Sequence, residues 1–173
     1  TGLGEDADLL WMRGDLSSRQ VLEHVRYLTP AYTPYSSFIY SNVMYQLAGE
    51  LVTTASGMPW DQFVETRIMA PLGMNESSAT YAGMLAQGAE NVSAAHFEIK
   101  GRYKRVDDGT GDSVPAAGSA WSSAADMTRW MKFLLDGGKV NGKPLVSEKN
   151  FRELFLPQVM VPASQFYPTA ELT

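Results

Sequence analysis

The chain has 173 residues, of which 45% are hydrophobic, so it can bury the core of one globular domain, or of part of one, but not of two. Its 14 lysines and arginines against 19 aspartates and glutamates give a net charge of −5, which disfavours a phosphate backbone, so we expect no nucleic-acid partner. No run approaches the roughly eighteen consecutive apolar residues of a membrane span, and the absence of cysteine excludes disulfides and zinc–thiolate sites.

The first predicted helix runs from Ser17 to Tyr27, where apolar residues recur at helical spacing. Either Ser17 or Ser18 is a suitable N-cap, and Pro30 follows the helix end. The next segment, 29–37, is rich in proline and hydroxyl residues, which predicts an ordered loop. This loop leads directly into Tyr-Ser-Asn at 40–42.

Two further helices are predicted in tandem after this loop. The first opens after Asn42 and stops at Gly57, and the second starts at Pro59 and continues until the chain turns at 71–74. The positions of the first of these helices that follow the helical repeat of a core face are Met44, Leu47, Ala48, Leu51, Val52 and Ala55.

The hydrophobic pattern changes between Asn91 and Val106, where it predicts a β-hairpin that turns at Lys100-Gly101. A polar, glycine-containing loop at 107–111 follows and leads to a stretch of small residues from Pro115 onward.

The strongest helix signal follows Ser123, which forms a capping-box-like start with Asp126 at the third helical position. The helix ends at Gly137-Gly138. A last short helix is predicted from Ser147 to Phe155, and prolines at 157, 162 and 168 predict an extended tail. The apolar stripe of the helix after Ser123 consists of Met127, Trp130, Met131, Leu134 and Leu135.

Several kinds of active site are excluded by missing strings. No Gly-x-Ser-x-Gly occurs, which argues against an α/β-hydrolase nucleophile elbow. A zinc site needs three or four ligands, and the sequence offers only His24 and His96 and no cysteine, so we expect neither a metal nor another cofactor. The Gly-Gly-Lys at 137–139 lacks the spacing of a phosphate loop and is interpreted as a helix end.

Tyr40-Ser41-Asn42 is the candidate site. In an extended segment, side chains two positions apart project to the same side, so Tyr40 and Asn42 can face one cleft while Ser41 contacts the backbone. A phenol has a pKa of about 10 and needs an adjacent cation to act as a base near neutrality. A carboxamide can donate to a substrate carbonyl and accept from a lysine at once. The structural alternative is a tyrosine packed on a helix start with Asn42 near the N-cap.

Other strings support the functional interpretation because four landmarks occur in a fixed order. They are Phe-Ile-Tyr-Ser-Asn at 38–42, Leu-Ala-Gly at 47–49, Ser-Gly-Met at 56–58 and Pro-Leu-Gly-Met at 71–74. In this order they resemble the middle of class C β-lactamases and the related D-alanyl-D-alanine carboxypeptidases and esterases. Pro-Ala-Ala-Gly at 115–118 with Ser-Ser-Ala-Ala-Asp at 122–126 resembles the small-residue loop and following helix of that family.

The resemblance implies a fold that is mainly α with a β-hairpin, the helical portion of the β-lactamase/transpeptidase-like α/β fold. The family also needs a Ser-x-x-Lys nucleophile motif and a Lys-Thr-Gly or His-x-Gly strand, and neither string occurs here. In the family these elements lie upstream of the residues aligned with Thr1 and downstream of those aligned with Thr173. We therefore expect residues 1–173 to be a single truncated helical domain that lacks the nucleophile helix and most of the β-sheet, and that cannot acylate alone.

For the whole enzyme, the resemblance assigns Tyr40 to catalytic proton transfer with the absent lysine, at either acylation or deacylation, and Asn42 to binding and orienting the substrate and to orienting that lysine. The implied substrates are β-lactams, D-Ala-D-Ala peptides or small esters, attacked through an acyl-enzyme. Trp121 and Tyr35 are aromatic residues that could line the cleft, but aromatic residues near a loop are more often simply packed, so neither is assigned to catalysis. Ser41 is interpreted as structural. The alternative function is a non-catalytic helical binding module on the same scaffold.

Two further expectations concern partners and location. Omission of the nucleophile helix should leave an apolar groove, which favours a homo-oligomer of the chain. Export to the periplasm or cell envelope is expected from the family resemblance alone. The groove is expected to be lined by Met44, Leu47 and Leu51 on one side and by Trp130 and Leu134 on the other.

Overall fold

The structure is a computed structural model that describes residues 2–12, 14–88, 90–107 and 111–158. The part of the predicted tail that contains Pro162 and Pro168 lies outside these ranges. The described chain is mainly helical with two small antiparallel hairpins, as the predicted fold class requires. It forms, in order, a 3-10 helix Glu5–Asp8, α1 Leu9–Met12, α2 Ser18–Val25, α3 Asn42–Ser56, α4 Trp60–Val64, a π-helix Glu65–Met69, α5 Ala70–Leu72, α6 Tyr81–Ala86, β1 His96–Ile99, β2 Arg102–Arg105, α7 Pro115–Gly118, α8 Ala124–Leu135, β3 Lys139–Val140, β4 Lys143–Pro144 and α9 Glu148–Glu153.

Helix α2 confirms the first predicted helix and its N-cap. The side chain of Ser17 accepts from the backbone N–H of Gln20, and the Gln20 side chain accepts from the N–H of Ser17, which completes a capping box. Val21 of this helix is fully buried against Val43 of α3 and Val114. These three valines form the centre of a small core at the N-terminal end of the described chain.

Helix α3 has the predicted start and ends at Gly57, which adopts the left-handed conformation at φ 68°. The predicted core face of α3 is wrong, because the residues it buries are Val43, Gln46 and Gly49, while Leu51 is 64% exposed. The reason lies in the packing partner. Helix α7 lies against the Gln46 side, where the side-chain oxygen of Gln46 accepts from the N–H of Ala116 at 3.2 Å.

The third predicted helix is confirmed as the continuous stretch from Trp60 to Leu72, and Gly73 ends it at φ 71°. The sequence did not indicate the π-helix Glu65–Met69 in its middle. This wider turn directly precedes Pro71, a residue that has no N–H to donate to the preceding helical turn.

The first hairpin is confirmed with its predicted turn. Strands β1 and β2 pair antiparallel, with Ile99 opposite Arg102, and Lys100 and Gly101 both have positive φ angles, 52° and 72°. Every residue of both strands is exposed. The second hairpin, formed by β3 and β4, is not in the prediction because each of its strands has two residues.

Helix α8 is confirmed, with the Ser123 side chain accepting from the N–H of Asp126 at 3.1 Å. The Asp126 carboxylate, however, does not accept from the backbone N–H of Ser123, as a capping box would require. It is fully buried and accepts from the N–H of Glu76 and the hydroxyl of Ser77, and it pairs with Arg129. Most of the predicted apolar stripe of α8 faces outward, since Phe133 is the apolar residue that this helix buries.

Among the remaining helices, α9 was predicted and several short helices were not. Helix α9 follows the N-cap Ser147, as predicted. The small-residue stretch at 115–118 is a short helix, not a loop, and the 3-10 helix with α1 and helix α6 were also not predicted. Within the described part of the chain, no helix has the combined length and hydrophobicity that crossing a membrane requires.

Candidate functional site

Tyr40 lies in the extended segment before α3, and Asn42 is the first residue of that helix. The Tyr40 hydroxyl donates to the side-chain oxygen of Asn42 at 3.2 Å. Tyr40 as a whole residue remains 59% exposed and lines an open groove. The structure therefore brings together the two side chains that the sequence predicted for the site.

Ser41, between them, is turned into the protein and is only 6% exposed. Its hydroxyl accepts from the N–H of Met44 at 3.3 Å and thereby caps α3. The same hydroxyl donates to the carboxylate of Asp8 at 3.2 Å. These contacts give Ser41 a structural role, as interpreted from the sequence.

Asp8 is the residue of this site that the sequence did not reveal. Its carboxylate accepts from the backbone N–H of Asn42 at 3.0 Å, from that of Val43 at 3.2 Å, and from the Asn42 side-chain amide at 2.6 Å. An anion at this position satisfies two of the free N–H groups that begin every α-helix. The 3-10 helix Glu5–Asp8 ends at this aspartate and carries it to the start of α3.

The surroundings of Asp8 favour its ionised form. Burial by itself raises the pKa of a carboxyl group, but the hydrogen bonds from the N–H groups of Asn42 and Val43 and from the Asn42 side chain lower it more. The net effect is that the pKa of Asp8 lies below its ordinary value of 3.8. The site therefore holds a fixed negative charge behind Asn42 at neutral pH.

An aromatic groove of about 320 Å³ opens beside Tyr40. Tyr35 lines it and adopts an unusual left-handed backbone conformation at φ 67°. Gly2 packs against this loop, and its carbonyl accepts hydrogen bonds from the N–H groups of Ala31 and Tyr32. A side chain at Gly2 would collide with the Tyr32 carbonyl. The groove also includes Phe38, Ile39, Met44 and Tyr45.

Trp121, the other aromatic residue considered for the cleft, lies elsewhere. It packs against Tyr81 with ring centroids 5.3 Å apart and pairs through its backbone with Ser78. The groove that it lines is a different one, bordered by residues such as Gln87 and Asn91. Trp121 therefore does not line the groove beside Tyr40, and its contacts are those of a packed aromatic residue.

The chemistry that Tyr40 and Asn42 offer a ligand is hydrogen bonding. The Asn42 amide keeps one N–H and one lone pair for a ligand after its bonds to Asp8 and Tyr40. Within residues 2–12, 14–88, 90–107 and 111–158, no lysine hydrogen-bonds the Tyr40 hydroxyl, and no three His, Asp or Glu side chains gather as a possible metal site.

Comparison with known proteins identifies the family. Residues 1–162 match the family model for beta-lactamase, so the chain belongs to the beta-lactamase family. It is 35% identical over 85 residues to a protein of Escherichia coli (strain K12) named D-alanyl-D-alanine carboxypeptidase, a match that covers 49% of this chain and 19% of that protein. It is 28% identical over 124 residues to an unguisins hydrolase of Aspergillus violaceofuscus, covering 68% of this chain and 22% of that protein.

Solved structures show the same fold. The octameric penicillin-binding protein homologue from Pyrococcus abyssi matches 96% of this chain with 38% of its own, at a TM-score of 0.76 and 20% identity. A D-stereospecific amidohydrolase from Streptomyces sp. matches 92% of this chain with 45% of its own, at a TM-score of 0.66 and 24% identity. The chain thus forms part of a β-lactamase/penicillin-binding-protein fold and spans about a fifth of the length of its curated relatives.

Proposed function

We propose that this chain supplies the Tyr-Ser-Asn element of a serine hydrolase that acts through an acyl-enzyme. Tyr40 transfers the proton between nucleophile and leaving group, and Asn42 orients the acyl group of the substrate and the catalytic lysine. The observation that carries the proposal is the hydrogen bond between Tyr40 and Asn42 at the edge of an accessible groove. Membership of the beta-lactamase family supports it.

The proposed substrates are β-lactams, D-Ala-D-Ala peptides or small esters. Names of similar proteins support a substrate that contains a D-configured residue, since they include a D-alanyl-D-alanine carboxypeptidase, a D-stereospecific amidohydrolase and a D-amino acid amidase from Ochrobactrum anthropi SV3. The aromatic groove beside Tyr40 is suited to an apolar side chain of such a substrate.

The nucleophile of the proposed reaction is not one of the serines in this sequence. None of them is followed three residues later by lysine, and a serine hydroxyl needs such a base to attack a carbonyl. Ser41, the serine nearest to Tyr40, is buried and already bonded to Asp8 and Met44. We therefore propose that a Ser-x-x-Lys motif elsewhere in the full-length protein provides both the nucleophile and the cation that Tyr40 requires.

Covalent labelling tests this proposal. The 173-residue chain and the full-length gene product are each treated with a fluorescent penicillin and with a fluorophosphonate, and adducts are detected by intact mass. The proposal predicts an adduct on the full-length protein only. An adduct on the 173-residue chain would assign the nucleophile to one of its own serines, and no adduct on either protein would favour a non-catalytic binding module.

A further inference from the structure

The Asp8 carboxylate makes two separable kinds of contact with Asn42. One kind caps the helix, through the backbone N–H groups of Asn42 and Val43. The other kind orients a side chain, through the 2.6 Å hydrogen bond from the Asn42 amide nitrogen. A helix cap needs only the contacts to backbone N–H groups. The hydrogen bond from the Asn42 side-chain amide is therefore not accounted for by capping.

An ionised carboxylate can only accept hydrogen bonds, whereas a carboxamide presents a donor at one end and an acceptor at the other. The end of the Asn42 amide that meets Asp8 must therefore be its NH₂ group. The amide oxygen is then left to meet the Tyr40 hydroxyl, which donates to it at 3.2 Å. Without a carboxylate at position 8, the amide could rotate and present its nitrogen to Tyr40, and the phenol would then accept the hydrogen bond.

We propose that Asp8 is a positioning residue, which holds the Asn42 amide so that its oxygen faces Tyr40 and the cation that Tyr40 needs. The proposal rests on the function proposed above for Tyr40 and Asn42. One lone pair of the Asn42 side-chain oxygen accepts the hydrogen bond from the Tyr40 hydroxyl, and the other lone pair is available to an ammonium group. Asp8 acts through Asn42 and has no contact with the reacting atoms.

A first experiment tests the orientation without any catalysis. In the 173-residue chain, the two side-chain amide protons of Asn42 are assigned by ¹⁵N NMR. A proton bonded to a carboxylate shifts downfield, so the pair should be widely separated in the native chain and should collapse toward the values of a free amide in Asp8→Asn and Asp8→Ala. An Asn42 amide that already resembles a free amide in the native chain would overturn the proposal.

A second experiment measures the acylation rate constant in the full-length enzyme by single-turnover kinetics. Asp8→Asn should slow acylation by up to about a hundredfold, the cost of misplacing a catalytic group by an ångström. In the Asn42→Ala background the same substitution should cause no further loss, because the group that Asp8 orients is gone. An equal loss in both backgrounds would mean that Asp8 acts only as a helix cap.

Asp112 provides the matched control. Its carboxylate accepts from the N–H groups of Tyr81 at 3.1 Å and Ala82 at 3.2 Å, so it also meets the first turn of a helix but has no link to Tyr40. Asp112→Asn should lower the thermal midpoint without changing the acylation rate constant or the Asn42 amide shifts. A drop in acylation equal to that of Asp8→Asn would show that general loss of stability explains both.

The two experiments also separate this proposal from the proposed function. If Tyr40→Phe leaves acylation unchanged while the Asn42 amide is fixed by Asp8, the proposed function fails and the orientation stands. If Tyr40→Phe slows acylation but the Asn42 amide proton shifts are the same in the native chain and the Asp8 variants, only the positioning role of Asp8 fails.

Discussion

The backbone N–H of Glu76 donates a 2.7 Å hydrogen bond to the carboxylate of Asp126, which lies 50 positions later in the chain and is fully buried. The Ser77 hydroxyl donates to the same oxygen at 2.8 Å. One carboxylate at the start of α8 thereby fixes the loop that follows α5. This contact ties the middle of the chain to its second half.

Asp126→Ala should lower the free energy of unfolding by about 2–4 kcal/mol, because it removes a fully buried carboxylate that bonds the Glu76 N–H, the buried Ser77 hydroxyl and Arg129. Urea unfolding followed by circular dichroism measures this loss. Asp136→Ala is the control, since Asp136 pairs with Lys132 at the surface of the same helix, where ion pairs contribute about 0–1 kcal/mol. Equal losses in the two variants would contradict the assigned role of Asp126.

Asp8 should make stability depend on pH in the acidic range. Its pKa is lowered in the folded chain, so its contribution is fully present above the ordinary value of 3.8 and disappears as the pH falls through the lower folded value. The difference in unfolding free energy between the native chain and Asp8→Asn should therefore be largest near pH 7 and shrink below about pH 4. Thermal unfolding at a series of pH values tests this, and a difference that grows on acidification would contradict it.

Gly49→Ala should destabilise the chain, although alanine favours a helix over glycine by about 1 kcal/mol. A Cβ at Gly49 would lie 2.5 Å from that of Ala116, on the face where α3 meets α7. Overpacking of this kind costs about 1–3 kcal/mol. Differential scanning fluorimetry measures the change in thermal midpoint.

Two variants serve as controls for the Gly49 prediction. Gly118→Ala, at a position with open space around its Cβ, should leave the midpoint unchanged or raise it. Combining Gly49→Ala with Ala116→Gly removes the colliding Cβ and should recover much of the loss. If the double variant is no better than Gly49→Ala, the clash with Ala116 is not the cause.

The sequence predicted the long helices and the first hairpin because each has a local signal. Ser17 with Gln20 begins α2, Gly57 ends α3, and Lys100-Gly101 turns the hairpin. The buried face of α3 was not predicted, because α7 packs on the side of Gln46 and Gly49, whereas Leu51 of the apolar repeat is exposed. Exposure of an apolar repeat depends on which elements pack together, and periodicity alone does not contain that information.

For the site, Tyr40 and Asn42 were predicted from the family resemblance, and their two-residue spacing in an extended segment indicated locally that both side chains face one side. Asp8 could not be found in this way. It lies 34 positions from Asn42, within a 3-10 helix of four residues that has no hydrophobic repeat. Its role depends on a contact between distant segments, which only the folded chain displays.

The exposed apolar side chains of α3 and α8 predict self-association of the 173-residue chain at micromolar concentration. Leu51 is 64% exposed, Met131 52% and Leu135 87%, while Met44, Leu47, Trp130 and Leu134 of the expected groove are half-buried. Sedimentation velocity should show a dimer or larger species, and Met131→Glu with Leu135→Glu should shift it toward monomer. A native chain that sediments as a clean monomer would contradict this prediction.

The proposed part of the Tyr40 hydroxyl in proton transfer is tested by the acylation rate constant of Tyr40→Phe in the full-length enzyme. Proton transfer by a positioned side chain contributes about 10²–10⁴-fold, so acylation should slow by a factor in this range. Tyr103→Phe, on the exposed hairpin strand β2, is the control and should acylate at the native rate. A Tyr40→Phe enzyme that acylates as fast as the Tyr103→Phe enzyme would show that the Tyr40 hydroxyl takes no part in proton transfer.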